Sequence, residues 1–248
     1  MKVLTWNVAG RTGRLADQIR TVLRQEADIV CLQEVRASTM PRWAEALASA
    51  GLTEAADSSG RSDHRIFNLT ASHWPVAELD PFPVPQPERV LSTRVRTPAG
   101  ALELHNVHVP PLRGDGAAKH ETLLAIHEAL AVPSSGHRLL CGDLNTSSRD
   151  SGHRDPEPAG RWVTAEGLLL RDLAEWDLHD IYRQLHGMKG SEVSCSSPGY
   201  YRKKGRRLDH ILASRSLCPV HCEYQHGWRQ EGFSDHSGVE GIFEPDYA

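Results

Sequence analysis

The chain is poor in several things, and each shortage narrows what it can be. Its 248 residues include five cysteines. That odd number, with Cys31 and Cys141 inside the apolar runs DIVCLQE and RLLCGDLN, reads as buried free thiols and not as a disulfide framework. Cys218, His221, Cys222 and His226 could hold zinc, but a C-x3-C without a second pair is a weak signature. No apolar run approaches the roughly 18 residues of a membrane helix. The opening MKVLTWN is strand-like where a secretory signal needs an apolar stretch of about 7–15 residues, so a cytoplasmic protein without membrane association is expected. Lysine is scarce, five against 23 arginines, and the net charge is −4. A uniformly basic nucleic-acid coat is thereby excluded, and any polyanion must be met by a local patch. Low-complexity tracts and long repeats are missing too, which favours one domain over residues 1–248.

What is present is an alternation of short apolar runs with helical patterns. Lys2–Asn7 reads as a buried strand. Arg14–Glu26 places Leu15, Ile19, Val22 and Leu23 on one helical face, and Asp28–Glu34 reads as a second strand, a βαβ opening. Further strands are expected at Arg65–Ser72, Arg89–Thr97, Leu102–Val109, Arg138–Leu144, Arg207–Ala213, Val220–Gln225 and Gly238–Phe243. Helices are expected at Pro41–Ala50, Ala117–Ala131, Ala165–Trp176 and Asp180–His186. The proline-rich Asp80–Glu88 and the polar Ser147–Gly160 read as loops.

Polar groups recur where apolar strands end: Asn7 after KVLTW, Gln33 and Glu34 after DIVCL, Asn106 and His108 in LELHNVHV, Asp143 and Asn145 after RLLC. Aligned strands would gather these ends at one rim, where α/β folds place ligands. Residues i and i+2 of an extended chain point the same way, so Asp143 and Asn145 would converge on one point. Asp209 lies in the apolar run RRLDHILA and needs a partner, for which a histidine is the obvious candidate, while the turn-rich GFSDH before a terminal strand would hold the His236 imidazole at an edge. An Asp–His pair fixes the imidazole tautomer and raises its basicity.

The segments TWN (5–7), LQE (32–34), HNVHVP (105–110), GDLN (142–145), RRLDHI (206–211) and SDH (234–236) resemble, in order, the motifs of the endonuclease/exonuclease/phosphatase superfamily. The resemblance implies a four-layer α/β sandwich, two mixed β-sheets face to face with helices outside and the active site at one end. It implies that Glu34 binds a divalent metal with Asn7 beside it and that Asp235 completes the metal or its surroundings. Asp143 and Asn145 would position the attacking water, Asp209 would orient His236 on the scissile phosphate, His108 would be a general acid, and Arg89 would lie near the phosphate. The pattern departs from the repair branch at Ala9, where a second acidic residue is common, and at His210, where Tyr or Arg is common.

Carboxylates, amides and histidines without clustered thiolates suit Mg²⁺ or Mn²⁺ acting on a phosphate ester. The basic stretch Tyr200, Tyr201, Arg202, Lys203, Lys204, Arg206 and Arg207, immediately before Asp209, could grip a nucleic-acid backbone and stack a base. A DNA nuclease working as a monomer, with no obligate protein partner, is therefore the leading expectation. The alternatives are a phosphoesterase of small-molecule or lipid esters and a catalytically silent binding protein on the same scaffold.

Overall fold

The computed structural model describes residues 1–112, 116–134, 136–146, 172–187, 192–195 and 205–244. Among the described residues, twelve strands form two six-stranded sheets. The first sheet runs β11 (Cys218–Gln225), β12 (Gly238–Glu244), β1 (Lys2–Asn7), β2 (Ile29–Arg36), β4 (Ile66–Ser72) and β3 (Glu54–Asp57). The second runs β5 (Val76–Glu78), β6 (Val90–Thr97), β7 (Gly100–His108), β8 (His137–Asp143), β10 (Asp209–Ala213) and β9 (His179–Asp180). Both are mixed: β1 is parallel to β2 and antiparallel to β12, and β7 is parallel to β8, which is antiparallel to β10.

Central strands read as unbroken apolar runs because both of their faces are covered. In β1, Val3 faces the opposite sheet while Leu4 and Trp6 pack outward against α1 (Leu15–Leu23) and α2 (Met40–Ser49). In β8, Leu139 and Cys141 face inward while Leu140 packs outward with Leu123, Ile126 and Leu130 of α3 (Ala117–Leu130). The period of two thus serves two cores per strand, and the order of layers is helix, sheet, sheet, helix. This is the expected four-layer α/β sandwich. The first and last strands are stitched together, since the Met1 ammonium donates to the Phe243 carbonyl at 2.7 Å and the Phe243 N–H donates to the Met1 carbonyl at 2.8 Å.

The βαβ opening, the helices near Met40 and Ala117, and most strands lie where the pattern puts them. The expected helix at Asp180 begins at Ile181 and runs to His186 (α4), because the Asp180 side chain accepts the Arg183 N–H as an N-cap. The strands β3 and β5 and the short helix His226–Gln230 (α5) are additional. Of the expected Ala165–Trp176 helix, the described part is a 3₁₀ turn, Leu173–Trp176; the remainder and the Ser147–Gly160 loop lie outside the described residues. No helix among the described residues is long and apolar enough to cross a membrane.

Candidate active site

The inner face of each central strand is apolar along most of its length and polar at one end. Following the inward positions gives Val3, Thr5, Asn7 on β1; Ile29, Cys31, Gln33 on β2; Leu102, Leu104, Asn106, His108 on β7; Leu139, Cys141, Asp143 on β8; and Ala213, Ile211, Asp209 on β10. Register aligns these ends. Asn7 lies beside Gln33, and Asp143 lies between His108 on β7 and Asp209 on β10.

Glu34 follows Gln33 and by simple alternation would face the outer helices. One extra residue in β2 between Leu32 and Val35 makes a bulge against β4, and Glu34 sits there with φ +55°. A left-handed conformation at a non-glycine residue costs roughly 1–3 kcal/mol and re-aims the side chain. As a result, Glu34 Oε1 accepts the Asn7 Nδ2–H at 3.2 Å. The same amide donates to Asp143 Oδ2 at 3.0 Å, so one amide nitrogen ties a carboxylate of the first sheet to a carboxylate of the second. Asn7 is itself fixed, its Oδ1 accepting the Ala9 N–H at 2.9 Å.

Asp143 and Asn145 do converge, but not by extended alternation. β8 ends at Asp143, and Asn145 adopts φ +47°, its N–H donating to Asp143 Oδ1 at 2.9 Å and its Nδ2 to the Val109 carbonyl at 2.8 Å. The carboxylate makes its own turn.

Asp209 and His236 are paired as expected: His236 Nδ1 donates to Asp209 Oδ2 at 2.8 Å, and Nε2 points toward Asp143 Oδ2 at 3.7 Å. Burial would lower the His236 pKa, but the Asp209 and Asp143 carboxylates outweigh it and hold the imidazole well above its usual value, hence charged. Asp143 is pushed up to about 7, chiefly by burial and also by Asp209, against the opposing effect of His236. His108 behaves oppositely. Burial, the Arg89 guanidinium with Nη1 2.8 Å from Nδ1, and His236 hold it well below its usual value and therefore neutral. Its Nε2 lies 3.4 Å from Glu34 Oε1.

Beside these groups opens a cavity of about 670 Å³ lined by Glu34, His236, Asp235 and the arginines Arg11, Arg14 and Arg36. Asp235 is on its rim, 4.0 Å from Arg11. A divalent cation fits the donor chemistry here. Asp143, Asp209 and His236 present ligand atoms all within 4.8 Å of one another, and burial leaves the Asp143 carboxyl, pushed up to about 7, a place where an added cation would favour the ionised form. Since Asp209 and His236 already satisfy each other, Glu34 and Asp143 are the carboxylates free to hold the ion, both being oxygen donors as Mg²⁺ and Mn²⁺ prefer.

The model of the Endonuclease/Exonuclease/phosphatase family matches residues 4–236, a span that includes every group just described. The chain belongs to this family. It is similar to exodeoxyribonuclease III of Haemophilus influenzae, 24% identical over 243 residues, covering 88% of this chain and 89% of that protein. Among solved structures, an AP endonuclease from Archaeoglobus fulgidus superposes with TM-score 0.80 at 20% identity, covering 98% of this chain and 99% of the other. A 3′-5′ exonuclease from Neisseria meningitidis superposes with TM-score 0.72 at 24% identity, covering 98% and 100%. With the family comes the reaction class, a phosphodiesterase of the endonuclease or exonuclease type.

The structure brings Asn7, Glu34, Arg89, His108, Asp143, Asn145, Asp209 and His236 together at one end of the sheets, with Asp235 at the edge of the cavity. Tyr200, Tyr201, Arg202, Lys203 and Lys204 lie outside the described residues. Arg206 is half-buried and pairs through its backbone with Cys195. Arg207 must be withdrawn from the basic loop: it is buried, and its guanidinium grips Asp180 with two contacts of 2.6 and 3.1 Å. The zinc reading of the Cys218 segment also fails, because Cys222 turns into the core while His226 Nε2 bonds Glu192 at 2.7 Å. Two features lie beyond what the sequence patterns predict. The GRTGR segment, whose arginines interleave with glycine after a strand, carries a signal for the arginine rim. Ser194, whose hydroxyl accepts the Leu208 and Asp209 N–H groups, carries none.

Proposed function

We propose that this protein is a divalent-metal-dependent nuclease that hydrolyses phosphodiester bonds in DNA, with Mg²⁺ or Mn²⁺ held by Glu34 and Asp143, Asn7 beside them and Asp235 in the surroundings. The observation that carries the reading is the meeting, across two sheets, of a charged Asp209–His236 pair with Asp143. When bound, the ion neutralises phosphate charge and stabilises the developing oxyanion.

The chain's own residues supply the rest. His236, held cationic by two carboxylates, binds and orients the scissile phosphate. Asp143, which shares in holding the ion, and Asn145, whose N–H donates to the Asp143 carboxylate, orient the attacking water. His108 is neutral, so in the free protein it serves as a hydrogen-bond partner and not as the proton donor, and the Arg89 cation behind it adds a second positive charge toward the phosphate. The arginine rim of the cavity, with the basic stretch Tyr201–Arg206, supports a polyanionic substrate. The exodeoxyribonuclease and endonuclease relatives support DNA.

The test is incubation with plasmid, linear duplex, single-stranded DNA, RNA and a lipid diester, with and without Mg²⁺ or Mn²⁺. Metal-dependent cleavage of DNA is expected. Cleavage undiminished in chelator overturns the metal, and a strict preference for the lipid or a small monoester overturns the substrate.

A further inference from the structure

Beneath the catalytic groups lies a polar contact that none of the chemistry uses. Gln33 and Asn106 are both fully buried, one on each sheet. Gln33 Nε2 donates to Asn106 Oδ1 at 2.8 Å across the gap and to Thr5 Oγ1 at 2.9 Å within its own sheet. Asn106 Nδ2 returns across the gap to the Leu32 carbonyl at 3.2 Å and the Leu69 carbonyl at 3.0 Å. Backbone carbonyls only accept, so they fix the Asn106 amide orientation, and that orientation in turn fixes Gln33.

The placement is what matters. Gln33 immediately precedes Glu34, Asn106 is two residues before His108, and Gly142, which precedes Asp143, is pressed against the same amide: a Cβ there would lie 3.2 Å from Gln33 Nε2. Deeper in the gap, away from this polar end, the sheets meet through apolar side chains such as Leu104, Leu139 and Ile211, whose contacts are non-directional and let the sheets slide. Directional bonds at one end do not. Gln33 Oε1 has no hydrogen-bond partner among the described residues, a cost that apolar packing would avoid.

We propose that Gln33 and Asn106 are positioning residues, an inter-sheet amide couple that sets the separation between the Asn7–Glu34 side of the site on the first sheet and the His108–Asp143–Asp209 side on the second, and hence between the two carboxylates, Glu34 and Asp143, that would share the ion. The inference rests on the metal-dependent reading above.

The test is Q33M, which keeps length and loses the amide. Relative to the parent, kcat on DNA should fall about 10–100-fold, the usual effect of removing an orienting group behind a metal ligand. KM should stay within about threefold, and Mn²⁺ binding, followed by electron paramagnetic resonance without substrate, should weaken about tenfold. T5V, which removes only the bond within the sheet, should leave Mn²⁺ binding within about twofold. L139A, which loosens the inter-sheet core away from the couple, should lower thermal stability and leave Mn²⁺ binding unchanged. If Q33M does not fold, Q33N, which keeps an amide but withdraws it by one methylene, is read the same way. With an active parent, a Q33M that binds Mn²⁺ and turns over like it, or an L139A that weakens Mn²⁺ binding as Q33M does, overturns the positioning role alone. A parent that neither binds Mn²⁺ nor cuts DNA overturns the metal-dependent reading and this inference together.

Discussion

Asp143 and Asp209 are direct cross-strand partners on antiparallel β8 and β10, two buried carboxylates with the His236 imidazole bonded to one and 3.7 Å from the other. Burial chiefly, and the Asp209 carboxylate beside it, push the Asp143 carboxyl up to about 7 against the opposing effect of the His236 cation.

That shift has a sign in stability. The folded pKa of Asp143 lies above the unfolded value near 4, so its contribution is fully present below that value and is lost as pH rises through about 7. Calorimetry of the chelator-treated protein should therefore show a melting temperature that falls between pH 4.5 and 7.5 more steeply than in Asp143→Asn. Equal slopes would mean that the carboxyl is ionised throughout. Added Mn²⁺ should flatten the parent's slope, because the ion takes the proton's place.

Glu34→Gln preserves shape and removes charge. Activity should drop at least about 100-fold at low metal and recover in part at high metal, a shift in half-saturating Mn²⁺ of about 10–100-fold. An unshifted metal dependence would remove Glu34 from the metal site.

For the dyad, Asp209→Ala and His236→Ala should each lower turnover by about 10²–10⁴-fold. Together they should cost far less than the product of the two, since they act as a unit. Strictly multiplicative losses in single-turnover assays would show that the pair does not work as one.

Arg89→Ala should raise the His108 pKa toward the ordinary imidazole value, though not fully, because burial remains the larger cause. Proton-detected titration of the imidazole resonances checks this. An unchanged His108 would assign its neutrality to burial and the His236 cation without Arg89.

Replacing Arg202, Lys203 and Lys204 together by alanine should flatten the dependence of log affinity on log salt by up to about two to three units on duplex DNA, at about 0.9 for each phosphate that is no longer neutralised. Cleavage of a small chromogenic diester should be nearly unchanged. Identical slopes for mutant and parent would make this stretch a solvated surface.

The central strands are legible in the sequence because each is buried on both faces, and the ends of their inward rows name most of the site. What stays hidden is what two-sided burial does not govern. β3 (EAAD) and β5 (VAE) are edge strands, short and largely exposed, and carry no apolar run. Glu34 reaches the site only through a bulge, whose extra residue shows in the β2–β4 register and not in LQEVR. Asn145 converges on Asp143 through a left-handed turn in place of extended alternation. Arg207 stands among charged neighbours along the chain, but its partner Asp180 is 27 residues away and draws it inward.

The stitching of β1 to β12 also has a consequence during synthesis. Asn7 is made 229 residues before His236. At a ribosomal rate of about 5–20 residues per second, β1 waits roughly ten to fifty seconds for its neighbour. Throughout that interval one edge of a strongly apolar strand stands open, a template for pairing with other chains. The dyad, too, has only its Asp209 half until the 27 residues from there to His236 have emerged. A chain grown only as far as Asp209 therefore has no assembled site, and catalytic competence arrives only with the docking of β12.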